Sequence, residues 1–456
     1  MISTIGALFL ENKNMEFTRK KIIKIGLIVL GVIILLFLIN ALWPQKKVKP
    51  THLVIWGVYD DVEDFKDQIS EYKEQNEGIS VEYIKKDAET YEDELLRAFA
   101  EGKAPDIFMM QNTWLPRYKS LIYEMPDKLS KEILPFEAFR NSFVDVVKED
   151  FSENNKIYGL SLYVDTLAMF YNKDFLNSEG IADPPQVWDE LVDDVYLLTK
   201  KDQWGQITRS GVAIGTAENV NRATDILSLL MLQNGTKMVN DTRKKAAFGE
   251  SIRIGEETYF PGEEALRFYT DFSNSSKRTY TWNRQMRYSI DAFVEGRAAI
   301  MFNYSHQIPT IKARSPYLNF GIAPMPQVKD RNFDVNYANY WGFTVSRKGK
   351  TAEIQRIAQE AWKFAVFMTN TKSSKTYLEK TKKPTARKDL IEWQKSDLDL
   401  GVFSKQSLTA KNWYQADNIK IEKIFSEAIE SIVLGSATPE KAVDVAVSQV
   451  NLLMQE

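Results

Sequence analysis

The stretch APDIFMMQNTWLP, residues 104–116, changes character halfway along its length. Residues 107–110 form an apolar run that is typical of a buried strand, and polar and aromatic residues follow it at Gln111, Asn112 and Trp114. In open α/β sheets, the loops at the carboxyl ends of the strands line a crevice. The stretch therefore predicts a strand that carries a loop to the wall of a binding cleft.

The residues before this stretch alternate between strand and helix patterns. HLVIWGV (residues 52–58) and VEYI (81–84) read as strands, and residues 62–76 between them are polar with spaced apolar positions. TYEDELLRAFAEG (90–102) reads as a helix, and Gly102 suits the position after its end. This order is the βαβ rhythm of a parallel sheet, so the sequence predicts an α/β fold.

A second α/β region follows after residue 160. Polar turns separate its elements, and a Thr–Pro pair begins its last helix, with Thr438 as N-cap and Pro439 in the first turn. Strands are predicted in residues 167–171, 297–308 and 340–346, and helices in residues 188–200, 223–233, 262–272, 351–369, 419–434 and 439–453.

The composition is that of an ordinary globular protein. The 456 residues are 44% hydrophobic and 27% charged, which is enough chain for two or three domains. Of the 59 Lys/Arg and 62 Asp/Glu, eight and two lie in residues 1–50, so the remainder carries a net charge of −9. Such a charge argues against a generic nucleic-acid surface. The lack of cysteine excludes disulfides, thiolate metal sites and a cysteine nucleophile.

Residues 25–42 are apolar except for Asn40 and are nearly long enough to cross a hydrocarbon core of about 30 Å. We predict a transmembrane anchor at residues 22–43, a cytoplasmic segment at 1–21 and a linker at 44–50. The alternative is a cleaved signal peptide, but the apolar run exceeds the usual ~7–15 residues and no small-x-small cleavage site follows it. No cysteine is present to carry a lipid, so a protein helix would serve as the tether.

Most catalytic motifs are missing from the sequence. KGKT (residues 348–351) lacks the first glycine of a phosphate-binding loop, because Thr344 stands there. His52 and His306 are the two histidines, and they are too few for most histidine-based metal sites or triads. A catalytic pair of carboxylates, as in a glycosidase, remains an alternative interpretation, with Asp60, Asp61 and Asp165 as candidate members. Hydrogen bonding to hydroxyls is the simpler role for these residues.

Aromatic residues stand beside polar ones at several predicted strand ends. Aromatic rings stack on the C–H faces of sugars, and amides and carboxylates bind sugar hydroxyls. Trp114 and Trp341, with polar or glycine neighbours, favour ligand binding over core packing. The full set is Trp56, Trp114, Tyr163 with Asp165, Trp282, Tyr340 with Trp341, and Trp413 with Tyr414.

Several phrases of the chain together resemble a known family. LVIWGVYD, YEDELLRAFAEGKAPDIFMMQNTWLP, IYGLSLYVDTLAMFYNKDF, FVEGRAAIMFNYSHQI, YWGFTVS and ATPEKAVDVAVSQVN occur in the order seen in bacterial extracellular solute-binding proteins of the sugar-binding, maltose-binding-like type. These proteins are the receptors of ABC importers. The resemblance covers nearly all of residues 51–456. It implies a two-lobed periplasmic-binding-protein-like fold of type II, in which the lobes close on the ligand like a hinged trap.

The resemblance also implies lobe boundaries and a site. The first lobe would comprise residues 51–163 and 304–343, and the second 166–300 and 346–456. The crossings would lie near residues 163–166, 300–303 and 343–346. Residues that match cleft-lining segments of the family, together with the aromatic candidates, give the predicted ligand site: Trp56, Asp60, Gln111, Asn112, Trp114, Tyr163, Asp165, Ser305, Trp341 and Trp413.

These observations predict an extracellular receptor, anchored in the plasma membrane, that delivers an oligosaccharide to the permease of an ABC importer. No catalysis, cofactor, metal or nucleic acid is expected. Two alternatives stay open: an anchored carbohydrate-active enzyme, and a sensor subunit that presents its ligand to a membrane kinase.

Overall fold

The computed structural model describes residues 49–455 and, before them, residues 21, 24 and 27–35. Residues 27–35 are helical and exposed. Across these described residues, no helix has both the length and the apolar character needed to cross a membrane. Much of the predicted anchor, residues 22–43, lies outside the described residues. The chain divides into two units, Met1–Pro50 and Thr51–Glu456, and the second unit contains all the elements below.

The strands of the second unit are mostly short. They comprise Thr51–Gly57, Ile79–Lys85, Ile107–Gln111, Ser152–Glu153, Lys156–Ile157, Leu160–Ser161, Asp165–Thr166, Ala168–Asn172, Lys200–Lys201, Ile207–Val212, Ile252–Ile254, Glu257–Tyr259, Ala298–Asn303, Phe320–Ala323, Asn336–Asn339, Trp341–Val345 and Ala410–Lys411.

The helices fill the connections between the strands. The α-helices are Val62–Gln75, Tyr91–Ala100, Leu115–Tyr118, Asp127–Ile133, Phe136–Ser142, Asp145–Phe151, Lys173–Ser178, Trp188–Leu198, Ala223–Gln233, Pro261–Asp271, Ser289–Val294, Ile308–Arg314, Ala352–Met368, Thr371–Thr381, Lys388–Gln394, Gly401–Gln406, Asn418–Val433 and Pro439–Leu453. Short 3-10 helices occur at Lys119–Leu121, Ser305–Gln307 and Ser407–Thr409.

The first sheet is built around the strand that the opening stretch predicts. Its order is Ile79–Lys85, Thr51–Gly57, Ile107–Gln111, Trp341–Val345 and Leu160–Ser161. The first three strands are parallel, with Ile55 opposite Ile107, and the fourth is antiparallel, with Trp341 opposite Gln111. The predicted βαβ rhythm is confirmed. Gly102 follows the helix Tyr91–Ala100 with a φ of +71°, a conformation that glycine adopts without strain.

The second sheet contains both parallel and antiparallel neighbours. Its order is Phe320–Ala323, Ala168–Asn172, Ala298–Asn303, Ile207–Val212 and Lys200–Lys201. A third, smaller sheet, which we call the bridging sheet, joins short segments that are distant in the sequence. Its strands, in order, are Ala410–Lys411, Asn336–Asn339 and Asp165–Thr166.

Buried apolar side chains gather in two cores. The first core surrounds the first sheet and draws on residues 53–164 and 338–391, with Ala410. The second core surrounds the second sheet and draws on residues 167–337 and on other residues of 400–450. The chain therefore passes from one core to the other close to each strand of the bridging sheet.

This grouping differs from the lobe boundaries expected from the sequence. Residues 304–337 pack with the second core, because Phe320–Ala323 pairs with Ala168–Asn172. Residues 358–391 pack with the first core, where Trp362 and Tyr377 are fully buried. The expected crossing near residues 163–166 lies where the chain changes cores, whereas the next change follows residue 337 rather than residues 300–303.

Candidate functional site

Three neighbouring cavities lie between the two cores, and we call them together the cleft. The aromatic cavity has a volume of about 280 Å³ and is lined by Tyr59, Tyr163, Asp165, Arg222, Tyr304, His306, Asn339, Trp341 and Lys383. The outer cavity, of about 320 Å³, is lined by residues that include Asn112, Lys119, Glu149, Asp150, Arg243, Trp413 and Tyr414. A narrow gap of about 40 Å³ shares Asn339 with the first and Asn112 and Trp413 with the second.

The ends of the strands bring the cleft residues together. Tyr59 comes two residues after the strand Thr51–Gly57, and Gln111 ends its strand directly opposite Trp341. The backbone N–H of Asn112 donates to the carbonyl of Tyr340 at 3.0 Å, which holds the loop after Gln111 against the neighbouring chain segment. The parallel strands thus deliver their loops to one edge of the first sheet, as the opening stretch predicts.

Four aromatic rings fix the wall of the aromatic cavity on the side of the first core. The ring of Trp341 lies 5.6 Å from that of Tyr59, 5.1 Å from that of Trp114 and 5.9 Å from that of Tyr91, between centroids. Trp114 is buried behind Trp341, whereas Trp341 is half-buried and lines the cavity. Such packing restricts the Trp341 side chain and orders the face that it offers to a ligand.

Asp165 is a buried carboxylate whose oxygens are already occupied. Its side chain accepts hydrogen bonds from the backbone N–H of Thr166 at 3.0 Å, and from the N–H and Oγ of Ser305 at 3.0 and 2.8 Å. Nδ1 of His306 lies 3.7 Å away. The hydrogen bonds of Ser305 therefore link Asp165, in the bridging sheet, to the short helix Ser305–Gln307. Ser305 itself does not line the cavity.

Asp60 also lies behind the cavity wall and not on it. Its carboxylate forms an ion pair with Lys383 and accepts a hydrogen bond of 3.0 Å from the hydroxyl of Tyr377. The Lys383 ammonium lies 4.4 Å from the ring centroid of Tyr163. Through this ion pair, Asp60 holds the ammonium of Lys383 beside the ring of Tyr163 at the cavity.

Arg222 enters the aromatic cavity from the side of the second core. It is the N-cap residue of the helix Ala223–Gln233 and has a φ of +63°, in the left-handed region. Its guanidinium lies 5.4 Å from the ring centroid of Tyr304, and the hydroxyl of Tyr304 donates to Asp225 at 2.8 Å. Burial opposes the charge of Arg222, but the carboxylates of Asp225 and Glu422 raise its pKa above the usual value, so it stays charged.

Asp150 lines the outer cavity, and its carboxyl group has a raised pKa. Burial raises the pKa of Asp150 to about 7, although hydrogen bonds from Asn112 and Tyr340 oppose the shift. The amide of Asn112 lies 3.0 Å and the hydroxyl of Tyr340 2.8 Å from the same carboxyl oxygen. A change in the protonation of Asp150 therefore affects the hydrogen bonds of Asn112, which lines the cleft, and of Tyr340, which follows the bridging sheet.

The structure places the ten residues predicted for the site in two groups. Six line the cleft: Tyr163, Asp165 and Trp341 in the aromatic cavity, Gln111 in the narrow gap, and Asn112 and Trp413 in both the gap and the outer cavity. The other four, Trp56, Asp60, Trp114 and Ser305, do not line these cavities. Trp56 packs beside the first core, with the ammonium of Lys86 lying 3.9 Å from its ring centroid.

Several cleft residues are missing from the predicted set. Tyr59, Tyr304 and Asn339 follow or end strands, so the same strand-end pattern that singles out Trp341 would have found them. Arg222 and Lys383 have no such local signal. Arg222 reaches the cleft through a left-handed backbone conformation, and Lys383 through its ion pair with a residue more than 300 positions away.

The cleft therefore combines ring faces, amides and charged groups. Within residues 49–455 and the described residues before them, no cluster of three or more His, Asp or Glu is arranged to hold a metal ion. Ring faces and hydrogen-bonding groups at the two walls of one cleft are suited to hold a polar ligand.

Comparison with known proteins identifies relatives over most of the chain. Residues 67–399 match the family model described as bacterial extracellular solute-binding protein. The galactooligosaccharide-binding protein of Bacillus subtilis (strain 168) is 22% identical over 403 residues, which cover 87% of this chain and 88% of that protein. The multiple sugar-binding protein of Streptococcus mutans is 24% identical over 280 residues, covering 61% of this chain and 62% of its own length.

A solved structure shows the same fold. The sugar-binding protein MalE from Xanthomonas citri superposes with a TM-score of 0.71 at 18% sequence identity, over 89% of this chain and 98% of that chain. The likeness confirms the predicted α/β, periplasmic-binding-protein-like fold.

Proposed function

The chain belongs to the family of bacterial extracellular solute-binding proteins, and from this premise we propose that it is the oligosaccharide receptor of an ABC importer. The proteins of this family are binding receptors and not enzymes. The observation that carries the proposal is the cleft between the two cores, where the half-buried ring of Trp341 and the amides of Asn112 and Asn339 line neighbouring cavities.

The chemistry of the cleft supports a sugar ligand. Tyr59, Tyr163, Tyr304 and Trp341 offer ring faces that suit the C–H faces of a pyranose, and neighbouring amides and hydroxyls suit its hydroxyl groups. The three cavities together extend past the size of one sugar ring, which favours an oligosaccharide. The relatives named above, which bind galactooligosaccharides and multiple sugars by their names, support the same class.

We further propose that the two cores define two lobes of a type II fold. The boundaries that follow the cores are residues 51–164 with 338–391, and residues 165–337 with 400–455. The bridging sheet would act as the hinge, because the chain changes cores near each of its three strands.

A ligand screen tests the receptor function. The purified chain is heated with neutral and acidic oligosaccharides, monosaccharides, polyols, amino acids and peptides, and the unfolding temperature is recorded. A ligand at about a hundred times its dissociation constant should add roughly 2.7 kcal/mol of stability. We expect an oligosaccharide to raise the unfolding temperature and to be recovered unchanged. Its breakdown would favour an enzyme, and a response only to amino acids or peptides would contradict the sugar assignment.

We also propose that residues 22–43 anchor the receptor in the plasma membrane, with residues 51–456 on the extracellular side. The apolar run of residues 25–42 and the absence of a cysteine for lipid attachment support this arrangement. In bacteria expressing the chain, an anchored protein should stay in the membrane fraction after washing at alkaline pH. A shortened chain of residues 51–456 is the soluble control. Release of the long form, with a new N-terminus near residue 44, would instead indicate a cleaved signal peptide.

A further inference from the structure

We propose that the aromatic cavity recognises an anionic group on the sugar, and that Arg222 is the residue that binds it. This inference rests on the proposed function and narrows its ligand class to an acidic oligosaccharide, such as one containing a uronic acid. The starting observation is that Arg222 lines the cavity while its guanidinium Nε is buried without a hydrogen-bond partner.

In the described part of the chain, the guanidinium of Arg222 forms no hydrogen bond and no ion pair within 4.0 Å, and its Nε is shielded from solvent without a partner. A buried donor without an acceptor is unfavourable, and more so when the group is charged. Arg222 also holds a left-handed φ of +63°, which is uncommon for an arginine. An acceptor supplied by a ligand would account for a charged side chain kept in this position.

Two other charged side chains at the cavity already have protein partners. Lys383 is paired with Asp60, and Asp165 accepts hydrogen bonds from Ser305 and Thr166. Asp225 lies beyond the cavity wall, where it accepts from Tyr304. Asp225 and Glu422 contribute attraction to Arg222 from the side of the narrow gap, yet neither lies within ion-pair distance of it. The Arg222 guanidinium, which lies over the ring of Tyr304, therefore has no such hydrogen-bond or ion-pair partner.

Two features of the cavity match an acidic sugar. The guanidinium presents a planar fork of N–H donors that fits a carboxylate or a phosphate with two parallel hydrogen bonds. The rings of Tyr59, Tyr163 and Trp341 line the same cavity and suit the face of the sugar ring that carries this group.

Titration calorimetry with matched sugars tests this inference. The probes are digalacturonate, the neutral disaccharide galactobiose, and a disaccharide phosphate, maltose 6′-phosphate. We expect an acidic probe to bind at least tenfold more tightly than galactobiose. Arg222→Gln should remove this preference, so that the variant binds the acidic and the neutral disaccharide with similar affinity, and Arg222→Lys should retain part of it. Arg253→Gln is the control, since Arg253 is exposed and lines none of the three cavities of the cleft.

The outcomes separate the inference from the receptor function. Tighter binding of digalacturonate identifies a carboxylate ligand, and tighter binding of the phosphate identifies a phosphorylated one. Both support the anion site if Arg222→Gln abolishes the preference. Equal or tighter binding of galactobiose, or an Arg222→Gln variant with unchanged preference, would overturn the inference while the sugar receptor stands. A lack of binding by all three probes would also overturn it, and the wider ligand screen would then decide the receptor function.

Discussion

Trp341 is the residue through which the first sheet meets the proposed ligand. It is half-buried, lies opposite Gln111 at the edge of the sheet and is supported from behind by Trp114. Trp341→Ala should weaken oligosaccharide binding roughly tenfold, about 1.4 kcal/mol, because a stacking face is lost. Binding is measured by calorimetry with the sugar that the ligand screen identifies, and folding by circular dichroism.

Trp204→Ala is the matched control, because Trp204 is 76% exposed and lies away from the cleft. Its affinity should equal that of the unmodified chain. An unchanged affinity of the Trp341→Ala variant would remove Trp341 from the ligand site.

Asp150 gives the protein a pH dependence with a definite sign. Its pKa is raised to about 7 in the folded chain, so the folded state holds a proton that the unfolded state releases near pH 4. The contribution of protonated Asp150 to the free energy of unfolding is therefore fully present below about pH 4 and is lost as the pH rises toward 7. We expect Asp150→Asn, which cannot ionise, to gain in unfolding temperature relative to the unmodified chain between pH 5 and pH 8.

The comparison is made by thermal unfolding of both proteins across this range. Asp145→Asn is the control, since its hydrogen bond with Lys388 holds the pKa of Asp145 below the ordinary value, so Asp145 is ionised throughout this range and the difference between this variant and the unmodified chain should not change with pH. Parallel curves for Asp150→Asn and the unmodified chain would show that Asp150 does not titrate in this range.

Single residues also show what the sequence could and could not predict about the cleft. Trp341 and Asn112 were predictable because each lies at the end of a strand and has a polar or glycine neighbour. Asp60 and Trp114 follow the same pattern, yet they lie behind the wall, where they hold Lys383 and Trp341. Strand-end position predicts proximity to the cleft, whereas the direction of a side chain depends on partners that are distant in the sequence.

At the scale of elements, the last helix illustrates local control of structure. Pro439–Leu453 packs against the second core through Ala442, Val443, Ala446 and Val450, and the Thr438 side chain accepts from the backbone N–H of Lys441. Thr438→Ala should therefore lower the free energy of unfolding by about 1 kcal/mol. Chemical denaturation measures this change.

Ser448→Ala serves as the control in the same helix, because Ser448 is exposed and alanine has the higher helix propensity. This variant should be neutral or slightly more stable. If Thr438→Ala proved as stable as Ser448→Ala, the N-cap hydrogen bond would not contribute to the stability of the helix.

The elements themselves followed the sequence closely where periodicity is strong. The predicted helices at residues 223–233 and 439–453 coincide with Ala223–Gln233 and Pro439–Leu453, and the strand in residues 297–308 is Ala298–Asn303. The bridging sheet was not predicted. Its strand Ala410–Lys411 has only two residues and acquires its pairing from Asn336–Asn339, so no local periodicity marks it.

At the scale of the whole molecule, the assignment of segments to lobes depends on long-range pairing. The helix Ile308–Arg314 and the strand Phe320–Ala323 follow a crossing expected from the sequence, but the strand pairs with Ala168–Asn172 and both pack with the second core. The stretch of residues 358–391 joins the first core instead. Apolar periodicity shows that a helix is amphipathic, but it does not identify which of two sheets it covers.

The proposed closure of the lobes can be tested by distance measurement across the cleft. In this structure the cleft is bridged directly, since the Asn418 amide donates to Gln111 at 3.1 Å, and Arg117 lies 3.7 Å from Asp417. These few exposed or half-buried contacts contribute little stability by themselves. We therefore expect the chain without ligand to sample more open arrangements, in which these contacts are broken, and the ligand to favour the closed one.

The sequence contains no cysteine, so a single pair of introduced cysteines can be spin-labelled without side reactions. Ser120→Cys and Lys244→Cys are suitable because both positions are exposed, and their neighbours Lys119 and Arg243 line the outer cavity. Saturating sugar should shorten and narrow the distance distribution between the labels. The radius of gyration from X-ray scattering should fall as well. A control pair at Glu101 and Lys128, which flank the first core alone, should be unaffected. Distances that stay the same with and without bound sugar would contradict hinge closure and leave a rigid binding cleft.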